Sequence, residues 1–372
     1  MKKFSMVIPC LFGLEGIIKD ELIAMGAANV VAHDGKVECT GDIEILARIN
    51  IRLRCGERVL IKIAEFKATT FDELFENVKA IDFGEYIAKT DEFPIKGYSL
   101  KSVLFSVPDC QAIIKKAMAT SLSGTYDVMW LPETGVKKQI QFSIFKDVVT
   151  LMIDTSGQGL HKRGYRAISN IAPLRETLAA AIITLSKYKA GETLYDPFCG
   201  SGTIPIEAAM IAKKMAPGLL REFAAEKFGE DFKNAFIKEK QIAKSKICES
   251  DNEIFASDID VEAVKLTIDN AKKAGVSDMI TARRVDVRDF TLEDNKNSLV
   301  ICNPPYGERL MEQKEAEKLY SDMGHIFRNL PKLRAYILTS HEDFEGIYGK
   351  KCDKNRKLYN GMIKCHLFQY FG

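Results

Sequence analysis

The spacing of apolar residues changes along this chain, and the changes divide it. After Pro9, "GLEGIIKDELIAMGA" places Leu14, Ile17, Ile18 and Leu22 on one helical face and stops at Gly26. Two strand-like runs follow, "NVVAH" and "KVECT", and then a helix over "DIEILARINIRLR" with Asp42 as its N-cap. Together these read as a small α+β unit. A second unit begins near "RVLIKIAEFKA" and continues with helix "TFDELFENVKAI", strand "YSLKSVLF", helix "PDCQAIIKKAMATSL" and strands "KKQIQFSIFKD" and "VVTLMIDTS".

From Glu192 onward the order becomes alternating. The strands "TLYDPF", "EIFASDID", "ITARRVDV", "NSLVICNPP" and "RAYILTS" are separated by helical stretches, which predicts an α/β fold with a parallel, doubly wound sheet. The end departs from this, because "RKLYNGMIKCHLFQYF" brackets an Asn360-Gly361 turn signal, so one reversed strand is expected to close the sheet. The boundary between the halves falls near Gly157 to Leu160, ahead of an alanine-rich helix after Pro173. Lys213 to Ser250, charged and helical, reads as an insertion able to cap a site, touch a partner or lie solvated.

At 372 residues and 46% hydrophobic, the chain has enough material for a large core and at least two domains. Its 53 lysines and arginines nearly balance 51 acidic residues, so any basic surface must be local. Two places qualify: Lys115 and Lys116 on one helix, and Lys162, Arg163 and Arg166 around Tyr165 in "HKRGYR". The helix lysines are candidate phosphate contacts and the second run a candidate contact to a nucleic-acid backbone or a charged ligand, with a solvated helix face or linker as the alternative. The nine scattered cysteines show neither zinc-finger spacing nor a disulfide framework, which points to reduced thiols in a cytosol and to no metal. The N-terminal "MKKFSMVIPCLFGLEG" imitates a signal peptide, but Pro9 and Glu15 break the pattern, and no run is long enough for a transmembrane helix.

The chemistry concentrates at strand ends. In "DPFCGSGT", Asp196, Phe198, Gly200, Ser201, Gly202 and Thr203 carry the chain from a strand into a helix, where bare glycine backbone lets amides approach a ligand. A dinucleotide fingerprint would need glycine where Pro205 stands. A carboxylate at Asp196 suits a cationic head, and S-adenosylmethionine carries a sulfonium and an ammonium. The next strand ends at Asp258, Ile259 and Asp260, placed to accept from ribose hydroxyls. The third ends at Asp286 and Val287, near an adenine amine. Any one of these aspartates could be only an N-cap.

A fourth strand delivers "NPPYG" to the same edge. An exocyclic base amine is a poor nucleophile because its lone pair is delocalised into the ring. Acceptance of its two hydrogens by the Asn303 oxygen and the Pro304 carbonyl would favour a pyramidal nitrogen aimed at a methyl donor. Pro304 and Pro305 hold that carbonyl rigidly, and Tyr306 is positioned to stack on a flipped base.

With "DPFCGSGT", "SDID", "VDVRD" and "NPPYG" in order, the second half resembles the class I S-adenosylmethionine-dependent amino-methyltransferases. The whole chain resembles the THUMP-domain RNA guanine-N2 methyltransferases, in particular the bacterial type acting on large-subunit (23S) ribosomal RNA. The segments "GLEGIIKDELIAMGA", "SVPDCQAIIKKA", "HKRGYR", "APLRETLAAA" and "IEAAMIAKKMAPG" all look like that family's. The resemblance implies a ferredoxin-like piece over 1–41, a THUMP domain over 42–154, and a Rossmann-like methyltransferase domain over 155–372 with the insertion at 213–250. It also implies that Asp196, Gly200 and Gly202 border the cofactor, Asp258 holds the ribose, Asp286 the adenine, and Asn303 with Pro304 the target amine. Some relatives carry a second methyltransferase domain, which this sequence does not contain. Related "NPPY" enzymes modify adenine N6, so the motif alone leaves the base open. A tRNA guanine-N2 enzyme, an adenine-N6 nucleic-acid enzyme and a non-catalytic RNA-binding protein stand as alternatives.

Overall fold

The computed structural model describes residues 2–371 except 167–173, 293–297, 307–309, 331 and 362, so Pro173 and Gly307 lie outside the described residues. The first half runs β1 (Phe4–Pro9), α1 (Glu15–Ala24), β2 (Ala28–His33), β3 (Lys36–Gly41), α2 (Ile43–Arg52), β4 (Leu60–Lys67), α3 (Phe71–Lys79), β5 (Ile95–Leu100), α4 (Val107–Tyr126), β6 (Ile140–Phe145) and β7 (Val148–Asp154). Asp42 caps α2 by accepting from the Ile45 amide, as its sequence position predicts, and Thr70 with Glu73 forms a capping box on α3. The expected strand "YSLKSVLF" stops at Leu100, where Lys101 turns left-handed at φ 52° and breaks the extended backbone.

These strands form one seven-stranded sheet in the order β2-β3-β1-β4-β7-β6-β5, antiparallel except for the β5/β6 pair. Strand β4 pairs with β1 on one side and β7 on the other, so the two α+β units read from the sequence share one continuous sheet.

The second half runs α5 (Glu176–Leu185), β8 (Thr193–Asp196), α6 (Thr203–Ala212), α7 (Glu230–Lys244), β9 (Ile254–Asp258), α8 (Val261–Ala274), β10 (Ile280–Arg284), β11 (Ser298–Cys302), α9 (Leu310–Arg328), β12 (Leu333–Thr339), α10 (Phe344–Tyr348), β13 (Lys354–Asn360) and β14 (Ile363–Tyr370). Its sheet order is β10-β9-β8-β11-β12-β14-β13. Every residue of β8 and β11 is buried, as expected for central strands covered on both faces. The reversed strand exists, but β14 lies inside the sheet between β12 and β13 rather than at its edge, because the hairpin folds its first strand outward.

The insertion ties the halves together. Helix α7 packs against α2, burying Phe236, and its Glu239 is paired with Arg48 at 3.4 Å and with Arg52. Between the two halves, Arg221 donates to the carbonyls of Ser156, Gln158, Gly159 and Lys162, which pins the connecting segment.

Candidate active site

The strand order reverses direction between β8 and β11, and that crevice is where ligands bind in open α/β sheets. Asp196 ends β8 on one side of it, and Asn303 follows β11 on the other. Both line a cleft of about 840 Å³, with Phe198, Gly200, Ser201, Thr203, Asp258, Ile259, Asp286, Val287 and Pro305. This volume lies in the ordinary range of small-molecule and cofactor sites. The residues singled out on four separate strands therefore converge on one space.

The glycine loop is held from outside. Gly200 and Gly202 take φ of 52° and 83°, and a Cβ on Gly202 would come within 3.0 Å of the Thr267 methyl. Thr267 on α8 donates to the Gly200 carbonyl at 3.0 Å, and Asn270 one turn later donates to the Ser201 carbonyl at 2.9 Å. The Gly200 amide donates to Asp258 at 3.0 Å, and the other Asp258 oxygen accepts from the Asp260 amide at 3.0 Å. Asp258 therefore braces the loop and retains lone pairs facing the cleft. Asp260 is a helix cap, accepting from the Glu262 amide.

The electrostatics favour a cation. Asp196 is 1% exposed, and its one described side-chain bond is from the Phe198 amide at 3.1 Å. Burial pushes its carboxyl well above the ordinary range, and the neighbouring Asp258 carboxylate adds to the shift. Asp286 caps a short turn and is gripped by Arg288 through side chain and backbone, which holds its carboxyl low. Helix α9 adds Glu312, Glu315 and Asp322 to the wall, so among the described lining residues six carboxylates face two cations, Arg288 and Lys318. A buried carboxylate beside ribose-height acceptors in an acidic cleft fits a sulfonium nucleoside and opposes a pyrophosphate. The acidic stripe on α9 was legible as a periodic pattern, but nothing in the sequence aimed it at the glycine loop.

Around Asn303 the expectation changes in one respect. The Tyr306 hydroxyl donates to the Asn303 side-chain oxygen at 2.6 Å, and the Cys365 thiol on β14 lies 3.5 Å from that hydroxyl. The Tyr306 ring packs against the core, and burial pushes the phenol upward, so it stays a donor. Tyr306 is therefore a prop that orients the Asn303 amide, not the free stacking surface read from the sequence. Pro304 is buried and Pro305 exposed, and the Pro305 carbonyl accepts from Tyr320 at 2.6 Å.

The basic candidates separate. Arg163 is 2% exposed, paired with buried Glu207 on α6 and donating to the Leu160 and Arg54 carbonyls, so it cannot reach a surface ligand. Arg166 bonds Thr203 at the start of α6 and pairs with Glu176 at 3.5 Å, which places it behind the glycine loop. Lys162 is exposed. Lys115 is captured by Glu133 at 2.6 Å over the Phe93 ring, whereas Lys116 is exposed.

Comparison with known proteins matches this arrangement to families. Residues 163–369 match the RMKL-like methyltransferase domain, 5–60 the RlmL ferredoxin-like domain and 68–154 the THUMP domain. The chain is 42% identical to a putative RNA methyltransferase, YpsC, of Bacillus subtilis, over all of this chain and 97% of that protein. It is 31% identical to the ribosomal RNA large subunit methyltransferase K/L of Psychromonas ingrahamii, over 98% of this chain but half of that longer protein. A putative methyltransferase solved with S-adenosylhomocysteine, SMU.472, superposes with a TM-score of 0.94 at 37% identity, covering 100% of this chain and 99% of that one. The chain belongs to the RMKL-like methyltransferases that carry a ferredoxin-like and THUMP module, and its cofactor is S-adenosylmethionine.

Proposed function

We propose that this protein methylates the exocyclic N2 amine of a guanine in RNA, with 23S ribosomal RNA in the cytosol as its substrate. The observation that carries this reading is the placement of Asn303 opposite Asp196 across a single acidic cleft. The ribosomal target is supported by the similarity to the K/L methyltransferase, and the choice of guanine N2 by the family resemblance of the whole chain. RNA capture is assigned to the first half, residues 1–154, and methyl transfer to 155–372.

Bound S-adenosylmethionine supplies an electrophilic methyl group. The protein supplies position and electrostatics. Asp196 balances positive charge, Asp258 and Asp286 orient the nucleoside, and the Asn303 oxygen, already aligned by Tyr306, accepts a hydrogen of the target amine together with the Pro304 carbonyl. A neutral amide suffices because the nitrogen becomes acidic only after it is alkylated, and its proton then leaves to water.

Asn303→Ala should therefore lower methyl transfer about a hundredfold or more while leaving S-adenosylhomocysteine affinity unchanged by calorimetry. A matching loss of cofactor affinity would contradict the assigned role. Mass mapping of ribosomal RNA from a deletion strain tests the substrate, with loss of one N2-methylguanosine as the expected result. An unaltered map would refute the ribosomal target.

A further inference from the structure

The catalytic loop is walled by the hairpin of β13 and β14, whose Cys365 touches Tyr306 from the inner face. The register of that hairpin pairs Tyr359 with Lys364 and Lys357 with His366. Leu358 and Cys365, which alternate with these residues, are fully buried, so the Tyr359 row lies on the opposite face of the hairpin. Lys357 and Lys364 are exposed, and the Lys357 ammonium sits 5.4 Å from the Tyr359 ring centre. Burial first, and then the two lysines, hold His366 below its ordinary range, with Glu342 opposing them. Glu342 lies 3.9 Å from Lys364 and is largely exposed, so it screens that lysine only weakly.

A second aromatic ring arrives from the other half of the molecule. Phe12, between β1 and α1, meets Tyr359 edge to face at 6.2 Å and is 57% exposed. Its ring lies against Gly35, where a Cβ would come within 3.3 Å. The segment bearing Phe12 is tied to the hairpin by Arg356, which donates to the Gly13 carbonyl at 3.0 Å. Two rings and two lysines thus form one surface on the outer face of the hairpin whose inner face walls the catalytic loop, and it crosses the boundary between the halves.

A base that reaches Asn303 must leave its stack, so the nucleotides beside it lose their stacking neighbours too. Such a strand needs ring faces for its bases and cations for its phosphates. We propose that Phe12, Tyr359, Lys357 and Lys364 form a platform for the unpaired RNA strand adjoining the target nucleotide. This rests on the reading of RNA as substrate.

The test uses the full chain with S-adenosylhomocysteine, a labelled unstructured 12-nucleotide RNA, and fluorescence anisotropy at several salt concentrations. Phe12→Ala should weaken binding about tenfold or more. The Lys357→Gln/Lys364→Gln pair should reduce the slope of log affinity against log salt by about one to two. Both variants should keep the thermal midpoint and S-adenosylhomocysteine affinity of the parent, which separates loss of the platform from misfolding. Should the parent bind RNA while both variants keep its affinity and slope, the platform is refuted and the RNA reading survives. Absence of RNA binding by the parent itself would refute both.

Discussion

At Asp196, folding and the proposed cofactor-binding role oppose each other. A buried carboxyl whose folded-state pKa is raised binds its proton more tightly in the native than in the unfolded chain. Stability of the ligand-free protein therefore falls as pH rises from the ordinary carboxyl range toward that raised value, and the full penalty applies above it. Asp196→Asn should raise the thermal midpoint of the ligand-free protein at neutral pH, flatten its pH dependence on the acidic side, and weaken cofactor binding because the negative charge is gone. Midpoints measured against pH for both proteins check this, and a lower neutral-pH midpoint in the Asn variant would count against the assignment. Arg163 shows the converse case. Its charge is matched by Glu207 inside the protein, so it serves structure although it sits in the most basic run of the connecting segment.

At the scale of elements, the turn from β8 into α6 lines the cleft and is the unit proposed to meet the cofactor. Its shape depends on two left-handed glycines and on side chains reaching in from α8. Gly202→Ala must place a Cβ in left-handed backbone, at about 1–2 kcal/mol, and also press on Thr267. The expected outcome is a modest fall in stability by denaturant titration with a larger relative loss of S-adenosylhomocysteine affinity, since the loop amides shift. Equal affinity in parent and variant would show that the loop backbone does not contact the ligand. Helix α8, in contrast, needs little from its surroundings to begin and end, with Asp260 at its start and left-handed Gly275 at its close.

In the whole molecule, the two halves are held by more than the chain between them. The α2/α7 contact, the Arg221 clamp and the Asn50 bonds to Thr155 and Ser156 all cross or brace the junction. The platform bearing Phe12 depends on this rigidity, because its rings come from both sides. Phe236→Ala removes a fully buried ring from the seam and should cost roughly 3–5 kcal/mol. Unfolding followed by hydrogen exchange of the β1, β4 and β7 amides in the first half should then separate from unfolding followed by loss of S-adenosylhomocysteine binding in the second. Coincident transitions in the variant would mean that the seam is not what couples them.

The parts legible in the linear order of residues were those governed by neighbours in the chain. Glycines that permit left-handed backbone, aspartates after apolar runs, caps such as Asp42, and the alternation of strands with helices all act within a few positions, so the Rossmann-like half and the Asp196, Asp258, Asp286 and Asn303 set could be read directly. Contacts between distant segments could not. Lys115 is taken up by Glu133, Arg163 by Glu207, and Tyr306 by Asn303 and Cys365, while the charged insertion became a strut against α2. Which faces meet depends on how sheets and helices pack in three dimensions, and that packing decides which charges remain free for a ligand and which are spent inside the protein.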